Sequence, residues 1–111
     1  MILRRITTKN DSYINNDVLI LGKYGRMRRT YLKENKKILY NRMLKNNMLW
    51  PHLLEIDEQA QEMVKTMVAQ MAKAEGLTEK MKSTDPMHWV GMMNNFKNAA
   101  EEVVLREVVY A

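Results

Sequence analysis

Residues 49–76 read LWPHLLEIDEQAQEMVKTMVAQMAKAEG, and their spacing decides the fold. Leu53, Ile56, Ala60, Met63, Met67 and Met71 step by three or four residues, and Leu54, Val64 and Val68 widen the stripe, so one side of a helix is apolar along its whole length. Pro51 suits a first helical turn, Glu55, Asp57 and Glu58 lie where the dipole of such a helix favours negative charge, and Gly76 supplies a stop. The spacing predicts a helix from about Leu49 to about Glu75, packed lengthwise against a partner.

That partner follows in sequence. Thr78 can cap a single turn through Lys82, and Asp85-Pro86 then repeats the cap-then-proline start of a helix. Trp89, Val90, Met93, Phe96, Ala99, Ala100, Val103, Val104, Val108 and Val109 form its apolar set, which predicts a helix to about Val109. Two long helices with a connection of roughly ten residues form an antiparallel hairpin. Before Leu49, Tyr24, Met27, Tyr31 and Leu32 mark one side of a helix from Lys23 to about Glu34, and Ile38, Leu39, Met43 and Leu44 mark a second from Lys36 to Asn46. Asn35 breaks the first of these and Asn46-Asn47 closes the second. The β-prone pieces Ile2–Thr8 and Tyr13–Asn15 flank the turn-forming run Lys9–Ser12 and predict a small hairpin. The fold class is mainly α: a long antiparallel helical hairpin, two short basic helices and an N-terminal β-hairpin. Residues 1–21 form a β-prone segment packed on the helices, and residues 22–111 a single helical domain.

Charge is divided unevenly along the 111 residues. Residues 1–50 hold 12 Lys and Arg against Asp11, Asp17 and Glu34, whereas residues 51–111 hold 6 basic and 10 acidic side chains, for a net charge of +5. An asymmetry of this size directs the first half toward a negative partner. Eight cations concentrate between residues 26 and 45: Arg26, Arg28, Arg29, Lys33, Lys36, Lys37, Arg42 and Lys45. Together with Lys23 they are the candidate phosphate contacts to DNA or RNA, with the steep salt dependence that phosphate neutralisation brings. A solvated basic face is the competing reading, and base readout would need residues such as Asn41 and Arg42 to reach a groove. The backbone amides that open the basic helix at Gly22–Arg26 would also suit a phosphate, although the phosphate-loop spacing and its Lys-Ser or Lys-Thr close are missing.

Catalytic constellations are not legible. The chain has no Cys, which removes disulfides, thiolate metal sites and thiol nucleophiles and fits a reducing compartment. Ser12 and Ser83 fall in predicted turns, and His52 and Glu55 share a helix face but lack the further ligands a carboxylate-bridged metal would need, since His88 lies on another helix. Both His residues read as solvent-facing or capping groups in first turns. Tyr24, Tyr31 and Tyr40 beside arginines suggest a recombinase, but packing under a basic helix explains them more simply. The expectation is a protein that is not an enzyme, with no catalytic residue, no metal and no cofactor. Of the 11 Met, Met63, Met67 and Met71 on one helix and Met87, Met92 and Met93 on the other are spaced to interdigitate in a core. Glu55, Glu58 and Glu62 line one helix face, which reads first as a solvated acidic face and second as a surface that could dock on a basic protein or mimic a DNA phosphate path. No export signal or membrane-length apolar run is present, so the expectation is a cytoplasmic protein without a membrane partner. A second apolar strip on the hairpin would suit a homodimer.

Gly22–Arg28, Tyr31–Glu34, Leu49–Leu53, Glu55–Glu62, Met71–Glu79 and Trp89-Val90 with Met93-Asn94 together resemble the TnpV family of small proteins encoded on transposons and related mobile elements. The resemblance runs collinearly over residues 22 to 110, and the Leu-Trp-Pro-His-Leu and Lys-Tyr-Gly-Arg pieces carry most of it. It implies an accessory protein of a mobile element, of the kind likened to excisionases, and brings no catalytic residues with it. This sequence departs from the family pattern at Lys36-Lys37, where a proline is more usual, and at Asn46-Asn47, where a glycine turn is common. Two functions are consistent with the whole. The first is an architectural or excision-directing factor that binds nucleic acid through residues 23–45, alongside a recombinase. The second is an inhibitor of a host nuclease, of the anti-CRISPR kind, acting by protein or guide-RNA binding.

Overall fold

A computed structural model describes residues 21–111; the expected β-hairpin at 1–20 lies outside the described residues. Among the described residues there is no strand, and five α-helices follow one another. They are α1 (Lys23–Asn35), α2 (Lys37–Lys45), α3 (Leu49–Ala74), α4 (Met81–Thr84) and α5 (Pro86–Val104), the last continuing into a π-helical turn over Leu105–Val109. The described residues fall into two compact units, 21–58 with Tyr110 and 59–109 with Ala111, and α3 contributes residues to each.

In the first unit α1 packs on the start of α3. Leu32 of α1 meets Leu49, Trp50 and Leu53 of α3 and Leu21, and Tyr31, Tyr40, Met43 and Leu54 pack around them. Leu32 and Leu53 are fully buried, and burial of each such leucine contributes roughly 1.5–3 kcal/mol. α2 is held differently from its sequence pattern. It has no buried residue, Tyr40 and Met43 alone face the cluster, and Ile38, expected on the apolar side, is 78% exposed. The reason lies in the break between the helices at Lys36, whose φ of −133° and ψ of 55° interrupt the helix and set the rotation of α2 independently of α1.

α2 ends in a paired-carbonyl cap. Asn47 N–H donates to Leu44 O and Met48 N–H to Met43 O, with Asn47 at a φ of 60° in the left-handed region. The same arrangement closes α3, where Gly76 has a φ of 72°, Gly76 N–H donates to Lys73 O and Leu77 N–H to Ala72 O. Gly76 is the stop expected from the sequence. Asn47 performs the task of a glycine in the earlier turn, because its short polar side chain tolerates this conformation better than most.

α3 starts at Leu49, two residues before Pro51, so no acidic residue falls in its first turn and the expected favourable dipole there is absent. Its buried positions are Leu49, Trp50, Leu53, Asp57, Ala60 and Val68, not the full Met-based stripe. An aspartate occupies this line where an apolar residue would be expected.

In the second unit α3 and α5 form the antiparallel hairpin. Val68, Phe96 and Ala100 are its buried centre, and Met67, Met71, Met92 and Met93 pack on them as interdigitating fillers. Met87, expected among these, is 85% exposed. The short helix forms at Met81–Thr84, later than the turn expected from Thr78, and the Asp85 side chain makes no capping hydrogen bond although Pro86 does open α5. Beyond Val104 the π-helical turn keeps Val109, five residues on, on the buried side, and both are fully buried. No helix among the described residues is long and apolar enough to cross a membrane.

Candidate nucleic-acid interface

The local geometry begins at Asp57. Its carboxylate accepts hydrogen bonds from Gly25 N–H at 2.9 Å and from Gly22 N–H at 3.2 Å. Asp57 is 8% exposed, so a charge on the long helix neutralises the positive end of the basic one. A side chain at either glycine would crowd this contact. A Cβ at Gly22 would lie 2.5 Å from Asp57 Oδ2, and one at Gly25 would lie 2.7 Å from Leu21 Cδ1 and 3.1 Å from Asp57 Cβ. The Gly-Lys-Tyr-Gly-Arg run is therefore a docking surface for Asp57. Its amides at Gly22 and Gly25 are occupied from within the fold, which corrects the expectation that they would meet a phosphate.

Arg28 is the second polar group drawn inward. It is 8% exposed, its Nε–H donates to His52 Nε2 at 3.1 Å, and its guanidinium carbon lies 5.7 Å from the Tyr31 ring centroid. Burial, followed by the neighbouring Arg28 charge, lowers the His52 pKa from its ordinary 6.5, with Glu55 pulling the other way. Burial lowers the Arg28 pKa as well, opposed by Tyr31. A ring that accepts at Nε2 carries its proton on Nδ1. Arg28 thus leaves the set of surface cations, and His52 is a half-buried acceptor and not the solvent-facing or capping group expected. His88 is exposed.

The other sequence-predicted cations reach the surface. Arg26, Arg29 and Lys33 are three and four residues apart on α1 and share one flank, where Arg26 and Lys33 are exposed and Arg29 is half-buried. Lys23, Lys36, Lys37, Arg42 and Lys45 are exposed. On α2 and in the turn that follows it the cations stand among exposed apolar side chains, with Ile38 at 78% and Leu44 at 45% on the helix and Met48 at 57% exposure in the turn. Glu34 is the single acidic residue of α1 and α2. The acidic residues Glu55, Glu58 and Glu62 are exposed along α3. Among the described residues no group of three or more His, Cys, Asp or Glu is placed to hold a metal ion.

Two functional features escaped the sequence reading. Asp57 was legible only as one acid among several on α3, since nothing in its neighbours marks a partner 32 to 35 residues away. Tyr110 lies outside every motif, yet its ring centroid is 5.3 Å from that of Tyr31.

Comparison with curated proteins finds no match, and neither does comparison with solved structures. A family model does match, over residues 12–109, and it is described as the transposon-encoded protein TnpV. The glycines, Asp57 and the surface cations described above all fall within that span, and the chain belongs to the TnpV family of transposon-encoded proteins.

Proposed function

We propose that this mobile-element protein is a non-enzymatic accessory factor that binds nucleic acid through α1 and α2. The observation that carries the reading is the exposed cation set: Arg26, Arg29 and Lys33 on one flank of α1, continued by Lys36, Lys37, Arg42 and Lys45, with Glu34 as the one acidic side chain of the two helices. A carboxylate on α3 caps α1 and the Arg28–His52 contact ties it to α3, so Arg26, Arg29 and Lys33 stand on a fixed helix. Arrays of this kind bind phosphates with little regard to sequence and suit an architectural or excision-directing role.

The test is binding to a DNA duplex and to structured RNA over a salt series. The variant carrying Arg26→Ala, Arg29→Ala and Lys33→Ala loses affinity for all sequences alike, and its log–log salt slope is flatter by up to roughly three units. Arg28→Ala, by contrast, loses stability and keeps the slope of the parent. A triple variant with unchanged affinity and slope refutes the reading.

A second reading, protein binding by α2 and the turn after it, is favoured by the exposed Ile38 and Leu44 among Lys37, Arg42 and Lys45, and by the exposed Met48 just beyond. Large apolar side chains exposed together mark interaction surfaces. An inhibitor of a host nuclease would use such a surface. It would co-purify with the nuclease, lose it on Ile38→Asp, and show no affinity for DNA alone.

A further inference from the structure

A groove of about 740 Å³ runs along α1 in the first unit, on the side where Lys23, Met27, Thr30 and Glu34 follow one another at helical spacing. Arg26 flanks its start, and Tyr31, Asn35 and Tyr110 line its other end. The groove is polarised. Lys23 and Arg26 stand at the helix N-terminal end, whereas Glu34 and Asn35 stand at the C-terminal end, with the two tyrosines beside them. The tyrosine rings are 5.3 Å apart and inclined by 49°, and the Arg28 guanidinium 5.7 Å from the Tyr31 centroid helps to hold that ring.

We propose that this groove holds one unpaired nucleotide of a single strand, with its phosphate on Lys23 and Arg26 and its base against Tyr31 and Tyr110. The inference rests on the nucleic-acid reading above and narrows it to unpaired strands. The polarity carries it: a duplex backbone laid along the whole groove would bring phosphate onto the Glu34 carboxylate. A nucleotide has one anionic end and one flat base, and amino-bearing bases present the donor edge that Glu34 and Asn35 can accept. Asn35 Nδ2 donates to Tyr31 O at 3.2 Å, which leaves its Oδ1 to accept. Arg26 and Tyr31 are five residues apart, roughly 7.5 Å along the helix axis, comparable to the reach from a base to a neighbouring phosphate. Arg29 and Lys33 on the adjoining flank serve the following phosphates of the strand.

The test uses the full chain and fluorescence anisotropy with a labelled oligo(dA), its ribose counterpart, and a duplex of matching length. The expected result is tighter binding of a single strand than of duplex. The tighter of the deoxyribose and ribose strands then identifies the source. Tyr110→Leu alters an exposed residue and loses about 5-fold or more in single-strand affinity, the lower end of what one stacked base contributes, with an unchanged salt slope because no phosphate contact is removed. Tyr31→Leu loses at least as much, and Tyr31→Phe, which keeps the ring and its packing, restores the affinity. Duplex bound as tightly as single strand, or Tyr110→Leu and Tyr31→Leu variants of parental affinity, overturns the inference while the basic surface keeps its role. Absence of binding to all three probes overturns both. Displacement of the strand by an equal concentration of adenosine monophosphate also overturns it, since the groove would then serve a free nucleotide.

Discussion

The contact between Asp57 and the two glycines predicts a coupling that can be measured by a double-mutant cycle. Asp57→Ala removes the acceptor of two amide donors, of which the Gly25 N–H is buried and the Gly22 N–H partly so. An unsatisfied buried donor costs about 1–3 kcal/mol, and loss of a partly buried charge at a helix N-terminus up to about 2 kcal/mol. Asp57→Ala should therefore cost about 3 kcal/mol. Gly22→Ala has no backbone reason to destabilise, because Gly22 has a φ of −76°, but its new Cβ would lie 2.5 Å and 2.7 Å from the two Asp57 oxygens. It must push the carboxylate off the amides, at about 2 kcal/mol, most of the same interaction. Once Asp57 is alanine the three carboxyl atoms nearest to the new Cβ are gone, so the double variant should cost about 3 kcal/mol in place of about 5, a coupling near 2 kcal/mol. The assay is urea unfolding followed by fluorescence in a Trp89→Phe background, which leaves Trp50, buried beside Leu49 and Leu53 in the first unit, as the reporting indole. Additive costs, or a loss below about 1 kcal/mol for Asp57→Ala, would refute the capping role assigned to the carboxylate.

The Arg28–His52 contact and the Asn47 turn yield two further expectations. The His52 pKa is lowered in the folded protein from 6.5, so the unfolded chain takes up the proton first; the stability from this contact is complete above about pH 6.5 and falls as pH drops below it. His52→Gln keeps an acceptor for Arg28 but cannot titrate, and its urea midpoint should lose less than the parent's between about pH 7 and about pH 5.5; equal losses would rule out the linkage. Asn47→Gly should raise stability by up to about 1 kcal/mol and Asn47→Val should lower it by about 1–2 kcal/mol, because the residue sits at a φ of 60°; thermal melting of both variants decides, and a stable valine variant contradicts the left-handed turn.

Periodicity alone makes the helical class and most helix boundaries legible. Step patterns of three and four residues located α1, α3 and α5, and Gly76 marked the end of α3, because helical burial is written in residues close together in sequence. Charge density in residues 23–45 was equally legible, since composition needs no geometry. Tertiary structure decided which of those residues are available. Arg28 and Asp57 look like their charged neighbours in sequence, and only the packing of α1 on α3 takes them inside, one against His52 and the other onto the amides of Gly22 and Gly25. It also turned Ile38 outward and brought Tyr110 to Tyr31 across most of the chain. Local pattern specifies which face of a helix is apolar. Which polar side chain is buried depends on the partner it meets, because a buried polar group is tolerated only where a distant residue satisfies it.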